Sequence, residues 1–452
     1  MVSIPHKVRV CIVGAGVSGL GAAQRLIKCG IVDLVILEAQ DRVGGRVHTV
    51  EYGEHHLEMG AQWIHGEEGN VVYDFASEND LIDDELSLIQ TVFHRFKTEN
   101  KWGTLGEELL NWYGRFQNCI DGSDSWFDIS AKEQNNYKEC PGNICVNWKQ
   151  KGYKNLLLHL QPCYENGCGT QTVPSSCLFL NSPVKSIDWG ICTSASTSGC
   201  KVTLTSDQVI QADHIIFTPS LGFLKAMAKE VFNPPLPRTK VDAIQGLGFG
   251  VVDKVYIKFP HRWWDESCDG FSFLHDLKEV PDILGFYEVF KHPDMMCGWL
   301  TGPAALMMEQ TSKEEKLERG VSNTVLMETY DIGKYTIYDI KMAKNKILEF
   351  TAFSLKLFVL INKDYNFVCL LFKSSSWGSN PWIKGSYSLC TMKTEAMGVK
   401  AADLAEPLID SNNVPLVCFA GEATHDCYYS TVHGALETGW READRLVKYL
   451  KR

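Results

Sequence analysis

The chain is expected to fold as an α/β protein. A discontinuous, Rossmann-type dinucleotide-binding domain would be joined to an α+β second domain. Three observations lead to this. Residues 7–38 read as strand, glycine turn, helix, strand and acid. A second glycine turn, Gly44-Gly45, follows at once. The strand-and-turn pattern returns at Ala212-Asp-His-Ile-Ile-Phe-Thr218-Pro-Ser-Leu-Gly-Phe-Leu. A chain of 452 residues is long enough for two or three domains with sizeable cores.

Lys7–Val13 has the β-branched content of a buried parallel strand. Gly14-Ala-Gly16-Val-Ser-Gly19 comes next, then Leu20 to Lys28 at helical spacing, then Leu34–Leu37 as a second strand ending in Glu38. In such a unit Gly14 permits the tight turn, Gly16 lets the backbone approach a pyrophosphate, and Gly19 lets helix and strand pack closely. The helix N-terminus offers N–H donors and a positive dipole to phosphates, and Glu38 would accept from ribose hydroxyls. A glycine turn in some other α/β unit would leave Glu38 unexplained.

Composition bounds the function. Hydrophobic residues at 45% and charged residues at 22% exclude disorder as the main state. A net charge of -11 excludes nucleic acid as a general partner and suits a cationic substrate. The sixteen cysteines show neither a Cys-x-x-Cys nor a zinc-spaced cluster. The first apolar run leads straight into the glycine loop rather than a cleavage site, and the end is an amphipathic helix without an apolar tail or a Ser-Lys-Leu-type tripeptide. Reduced thiols, a cytoplasmic location, no membrane anchor and a monomeric state are expected.

Five further motifs name a family. Glu38-Ala-Gln-Asp-Arg42-Val-Gly44-Gly45-Arg46 places two glycines for close backbone approach, with two arginines that offer forked donors to phosphate or hold the loop. Gly60-Ala61-Gln62-Trp63-Ile-His65-Gly66 follows. Near the far end come Trp377-Gly-Ser-Asn-Pro-Trp-Ile-Lys-Gly-Ser-Tyr387-Ser, then Phe419-Ala-Gly-Glu422-Ala-Thr-His425 and Tyr428-Tyr-Ser430-Thr431-Val432-His-Gly434. Together these resemble the FAD-dependent amine oxidase superfamily and, within it, the spermine and N-acetylpolyamine oxidases. The resemblance runs from about Val8 to Gly320 and from Trp377 to Leu450.

The resemblance implies non-covalent FAD, because the attachment cysteine of monoamine oxidases is missing near Trp377–Tyr387. It puts Gly14, Gly16, Gly19, Glu38, Arg42, Gly44, Gly45, Arg46, Gly60, Ala61, Gln62, Trp63, Val184, Glu422, Thr431 and Val432 along the cofactor. Val184 would meet the adenine through its backbone, and Glu422 would contact the ribityl–phosphate part. The chemistry implied is flavin-dependent oxidation of a polyamine with dioxygen as acceptor. Lys254 matches the family lysine that holds a water against the reactive flavin nitrogen. Read without the family, Lys254 is a surface lysine on a half-exposed strand that shares a face with Lys258; the resemblance favours the catalytic reading. His65 would contact the polyamine or its water network. Trp63, Tyr387 and the Tyr428/Tyr429 pair are candidate walls, Ser430 and Thr431 candidate substrate-facing groups. Another FAD amine oxidase, acting on monoamines or methyl-lysine, and a flavin-binding protein without turnover are the alternatives.

Between Val47 and His94 there are eleven acids and no Lys or Arg. A charge run is ordinarily a solvated face, yet this one brackets His65 and a negative rim would steer a polycation. Glu139 resembles the family acid that binds a remote ammonium. The FAD domain would combine 1–83, 180–236 and 405–452, and the substrate domain 84–179 and 237–404. Asp331 to Lys373 does not align: it lacks Pro and Arg and is crowded with Ile, Lys, Leu, Phe, Asn and Tyr. It is either a divergent replacement or a gene-model error, and its resemblance to translated A/T-rich DNA favours the error. Sequencing the transcript across it decides between them.

Overall fold

The computed structural model of the protein describes residues 3–52, 55–83, 106–161, 177–194, 197–259, 261–262, 264, 270–272, 284–310, 326–332, 335–341 and 371–451. Most of the unaligned stretch, 342–370, lies outside the described residues, as does the end of the acidic run, 84–94.

By compactness the chain divides into two units, Met1–Glu85 with Phe127–Phe249 and Asn380–Arg452, and Leu86–Trp126 with Gly250–Ser379. Residues 127–179, 237–249 and 380–404, assigned above to the substrate domain, cluster here with the nucleotide-binding elements. Local pairing explains this. Leu178–Phe179 extends the sheet beside Leu34–Leu37, Ile64 bridges Val146, and Gly248–Phe249 pairs with Ser388–Leu389.

The first unit is built on a nine-stranded sheet. Its centre is parallel: Leu34–Leu37, Lys7–Val13, Val209–Phe217 and Pro415–Phe419 run side by side, with Val13 opposite both Leu37 and Phe217, and Phe217 opposite Phe419. Val209–Phe217 is long enough to pair antiparallel with Thr197–Leu204 at its start and parallel with Pro415–Phe419 at its end. Central parallel strands are covered on both faces, so they read as apolar runs rather than alternating ones. Alternation survives in where the side chains go. Val10 and Ile12 join a core beneath helices Val17–Lys28 and Val432–Leu450, whereas Cys11 and Val13 join a second core with Leu221, Leu224, Ala243 and Leu404. The two helices of the first core touch at small residues: a Cβ on Gly439 would lie 2.2 Å from the Ser18 carbonyl oxygen. Every described cysteine is a free thiol.

The second unit holds an antiparallel sheet ordered Gly270–Ser272, Gly285–Val289, His292–Thr301, Val252–Lys258 and Leu371–Ser374. Helix Gly302–Gln310 packs back on it. Read without the family, strand Val252–Lys258 would be half-exposed; six of its seven residues are buried. It is a central strand, flanked on both edges and covered by that helix. Leu326–Ile332 and Tyr335–Lys341 form a separate hairpin, which takes in the first part of the unaligned stretch.

Candidate active site

The parallel strands deliver chemistry at their carboxyl ends, where ligands of open α/β sheets bind. Lys7–Val13 ends in Gly14, Leu34–Leu37 in Glu38, Val209–Phe217 in Thr218, and Pro415–Phe419 in Ala420-Gly421-Glu422. Sequence reasoning missed Thr218 in this set. Its hydroxyl donates to the Val13 carbonyl at 2.9 Å and pins the glycine turn.

The turn has little freedom. Gly14 sits at φ +100°, and a Cβ on Gly19 would fall 2.0 Å from the Gly14 carbonyl oxygen. Gly16 is different: a Cβ there would meet nothing nearer than the Gly44 carbonyl oxygen at 4.0 Å. The turn is therefore open where a ligand's phosphates approach and closed where the helix packs. Gly16 caps helix Val17–Lys28 without a side-chain hydrogen bond, and the first helical turn carries no acid. Such a helix start offers N–H groups and positive dipole to an anion. The second turn lies against the first: Gly44 donates to the Ala15 carbonyl at 2.8 Å and bridges Gly16. Glu38, 5% exposed, accepts the Ala15 N–H at 2.7 Å and the Gln40 N–H at 2.9 Å. This cradle fits a dinucleotide.

Of the two arginines, Arg42 holds the loop. Its guanidinium donates to the Gly45 carbonyl at 2.8 Å and the Val43 carbonyl at 3.2 Å, and burial lowers its pKa. Arg46 donates instead to Glu422 and to the Ser386 carbonyl, both at 2.7 Å. Glu422 is 4% exposed and also accepts from the Ser388 hydroxyl and from the Ser430 N–H at 2.8 Å. Tyr387 lies between Ser386 and Ser388, so both its chain neighbours are tied to the Arg46–Glu422 pair. A small cleft beside this pair is lined by Arg46, Phe217, Ser220, Gly421 and Glu422. Ser388 and Ser386 were not singled out in the sequence; only their flanking of Tyr387 marked them.

The hydroxyls of Ser430 and Thr431, expected to face substrate, have local partners. Ser430, at φ +67°, donates to the Ser388 carbonyl. Thr431 donates to the Tyr428 carbonyl at 2.7 Å and accepts from the Gly434 N–H at 3.0 Å, capping helix Val432–Leu450. Val432 packs into the first core, and Val184 opens its strand opposite Leu204 against the second.

The Gly60–Gly66 motif runs from the second glycine turn, where Ala61 donates to the Arg46 carbonyl at 3.2 Å, to the segment carrying Glu139. The Trp63 carbonyl accepts from Tyr153 at 2.9 Å, and Gly66 donates to the Asn143 carbonyl at 3.0 Å. Gln62 and Trp63 are half-buried. His65 is solvent-accessible, with Nδ1 2.8 Å from the Ile144 carbonyl. Yet desolvation is the main influence on its ring and lowers its pKa, against raising by that carbonyl and by Glu139. His65 is therefore neutral near pH 7, with an exposed carboxylate, Glu139, nearby.

His433 was quoted within a motif but given no role. It is 4% exposed, Nε2 lies 3.9 Å from Cys140 Sγ, and Tyr428 packs edge-on against it at 4.9 Å between ring centroids. Burial first, and the charges of His65 and His425 after it, bring its pKa down to about 4 against Glu437. The acidic run is partly consumed by structure: Glu51 pairs with Lys154, Asp80 with Lys149, and buried Glu58 accepts from Thr49 and the Tyr153 N–H.

In the second unit, Lys254 is 7% exposed, opposite Trp299 in the sheet. That overturns its reading as a surface lysine. Lys258 on the same face is more exposed and pairs with Asp294 at 3.0 Å. The Lys254 charge acts on the thiols of half-buried Cys119 and buried Cys297, each of which desolvation pushes up to about 12.

Comparison with known proteins agrees with this geometry. The family model "Flavin containing amine oxidoreductase" matches residues 17–100 and 76–447. A human protein named peroxisomal N(1)-acetyl-spermine/spermidine oxidase is 29% identical, over 98% of this chain and 95% of its own length. An Arabidopsis thaliana protein named probable polyamine oxidase 5 is 26% identical, over 98% and 99%. The fold is also that of a putrescine oxidase solved with putrescine bound, with a TM-score of 0.63 at 19% identity over 98% of this chain and 99% of the other. Among the described residues no helix is long and apolar enough to cross a membrane. The chain belongs to the flavin containing amine oxidoreductases, and it is an FAD-dependent amine oxidase.

Proposed function

We propose that the amine oxidised is a polyamine: spermine, spermidine or an acetylated form. The observation that carries this reading is His65, solvent-accessible and held by the Ile144 carbonyl, with Glu139 close enough to act on it. A neutral imidazole can accept a hydrogen bond from an ammonium or a water, and a carboxylate beside it suits a second cationic nitrogen of a flexible chain. The full-length relatives named for polyamine substrates support the same class.

FAD supplies the two-electron acceptor: a carbon beside a free-base nitrogen yields a hydride equivalent, the imine is hydrolysed to aldehyde and shorter amine, and dioxygen leaves as hydrogen peroxide. The protein's share is binding and orientation. Gly14, Gly16, Gly19, Glu38, Gly44 and Gly45 would hold the pyrophosphate and ribose, and the Arg46–Glu422 pair the ribityl–phosphate part. Lys254 would hold and move a proton at Nζ. Glu139 and His65 would set which C–N bond is presented. Trp63 and Tyr387 would wall the site.

The test is anaerobic mixing of the purified yellow protein with spermine, spermidine and acetylspermine. Bleaching of the flavin spectrum, with peroxide on admitting air, is expected, and the rates rank the substrates. A yellow protein that all three leave unbleached overturns the polyamine reading; bleaching by a methyl-lysine peptide instead would replace it.

A further inference from the structure

Asp253 and Lys254 are neighbours on a central strand, so their side chains leave the sheet on opposite faces. Asp253 is fully buried. Its Oδ1 accepts from the Ser375 hydroxyl at 2.7 Å and from the Trp377 N–H at 3.1 Å. Its Oδ2 is buried with no donor from an N–H or hydroxyl among the described residues. What faces it is another carboxyl, Glu309, from helix Gly302–Gln310. Glu309 in turn accepts the Gly378 N–H at 2.7 Å and the Ser379 N–H at 2.5 Å. The segment Ser375–Ser379 therefore hangs from two carboxyl groups. The same segment grips Lys254: the Lys254 N–H donates to Ser375 Oγ at 2.8 Å, and the Ser375 N–H donates to the Lys254 carbonyl at 3.0 Å.

Two ionised carboxylates side by side, one buried and one half-buried, repel. A single proton between them replaces repulsion with a hydrogen bond, because a protonated carboxyl is a donor. We propose that Asp253 and Glu309 share one proton, and that this pair positions Lys254 by fixing Ser375–Ser379 and, through Ser375, the Lys254 backbone. The inference rests on the reading of Lys254 as a residue of the active site. Burial first and Glu309 next push the Asp253 carboxyl up to about 8, so the shared proton is present at neutral pH. Ser375 and Trp377, the other groups facing Asp253, are neutral, and no cation faces it among the described residues. The folded state thus binds a proton that the unfolded chain, with an ordinary carboxyl near 3.8, has released. The pair's contribution to stability is complete below that value and is lost as pH rises through about 8.

The experiment compares FAD-loaded wild type, Asp253→Asn, Glu309→Gln and Lys254→Met from about pH 5 to about pH 9. It reads the melting temperature and the rate of anaerobic flavin reduction by spermine. Asparagine keeps an oxygen for Ser375 and Trp377 and offers Glu309 an N–H that does not titrate. Asp253→Asn is expected to flatten the alkaline fall in melting temperature and in kcat, with KM little changed. Glu309→Gln, which keeps one oxygen for the loop, is expected to flatten them too, and it serves if the asparagine variant does not fold. If both variants keep the wild-type alkaline fall, the shared proton is refuted. If the melting curves flatten while Lys254→Met reduces and reoxidises like wild type, the pair stands and the reading of Lys254 falls.

Discussion

Buried carboxyl groups occur in both units of the molecule, and they are satisfied in opposite ways. Glu38 and Glu422 in the first unit each meet donors on both oxygens, from peptide N–H groups, a serine and Arg46. Glu442, fully buried on the carboxy-terminal helix, lies between Arg441 at 2.6 Å and Arg445 at 2.7 Å. Asp253 in the second unit has two donors on one oxygen and a second carboxyl against the other. The cost of burying a charge is met in the first case by hydrogen bonds and in the second by a proton. The first solution is sensitive to mutation, because an amide would set a donor against a donor. The second is the reverse: an amide replaces the acid with little loss, and pH does the damage.

The comparison breaks most visibly at Glu422. Glu422→Gln turns one acceptor into a donor that opposes the Ser430 N–H, the Ser388 hydroxyl or Arg46. A loss of about 2–4 kcal/mol is expected, tempered because Arg46 is a quarter exposed. Chemical denaturation and flavin content after purification measure it. Full stability and full flavin occupancy would mean that the acid is not needed where it stands.

A smaller effect is expected at His433, where pH itself is the probe. Its folded pKa of about 4 lies below the ordinary 6.5, so its neutral form stabilises the fold above pH 6.5, and that contribution is lost as pH falls through about 4. His433→Gln should flatten the acid limb of the melting curve by several degrees relative to wild type. A parallel acid limb in both proteins would sink the assignment. The smallest effect belongs to an exposed pair. Arg25 and Asp444 are 2.8 Å apart but 46% and 37% exposed, so Asp444→Asn should change stability by less than about 1 kcal/mol, and less still in salt. A larger loss would show that screening had been overestimated.

Much of the first unit was legible because its constraints are local. Gly14, Gly19 and Glu38 are adjacent to the elements they close, and steric exclusion at Gly19 involves an atom five residues away. Lys254 was ambiguous because strand alternation tells which residues share a face, not whether either face is covered. Its burial comes from two flanking strands and a helix far along the chain. Ser430 and Thr431 were motif residues whose hydroxyls could face a substrate or cap local structure; the structure shows their local partners, which a motif does not spell out.

By itself, then, the order of residues determined the glycine turns, the acid after the second strand, the central parallel strands and the choice of flavin chemistry. Each depends on steric or hydrogen-bonding demands met within a few residues, or on motifs whose spacing the chain carries intact. Only the tertiary structure decided that Arg46 meets Glu422 across 376 residues, that Glu139 acts on His65, and that Asp253 faces Glu309. Those are pairings of charge and proton between segments far apart in the chain, and a linear pattern does not record which side chains will meet.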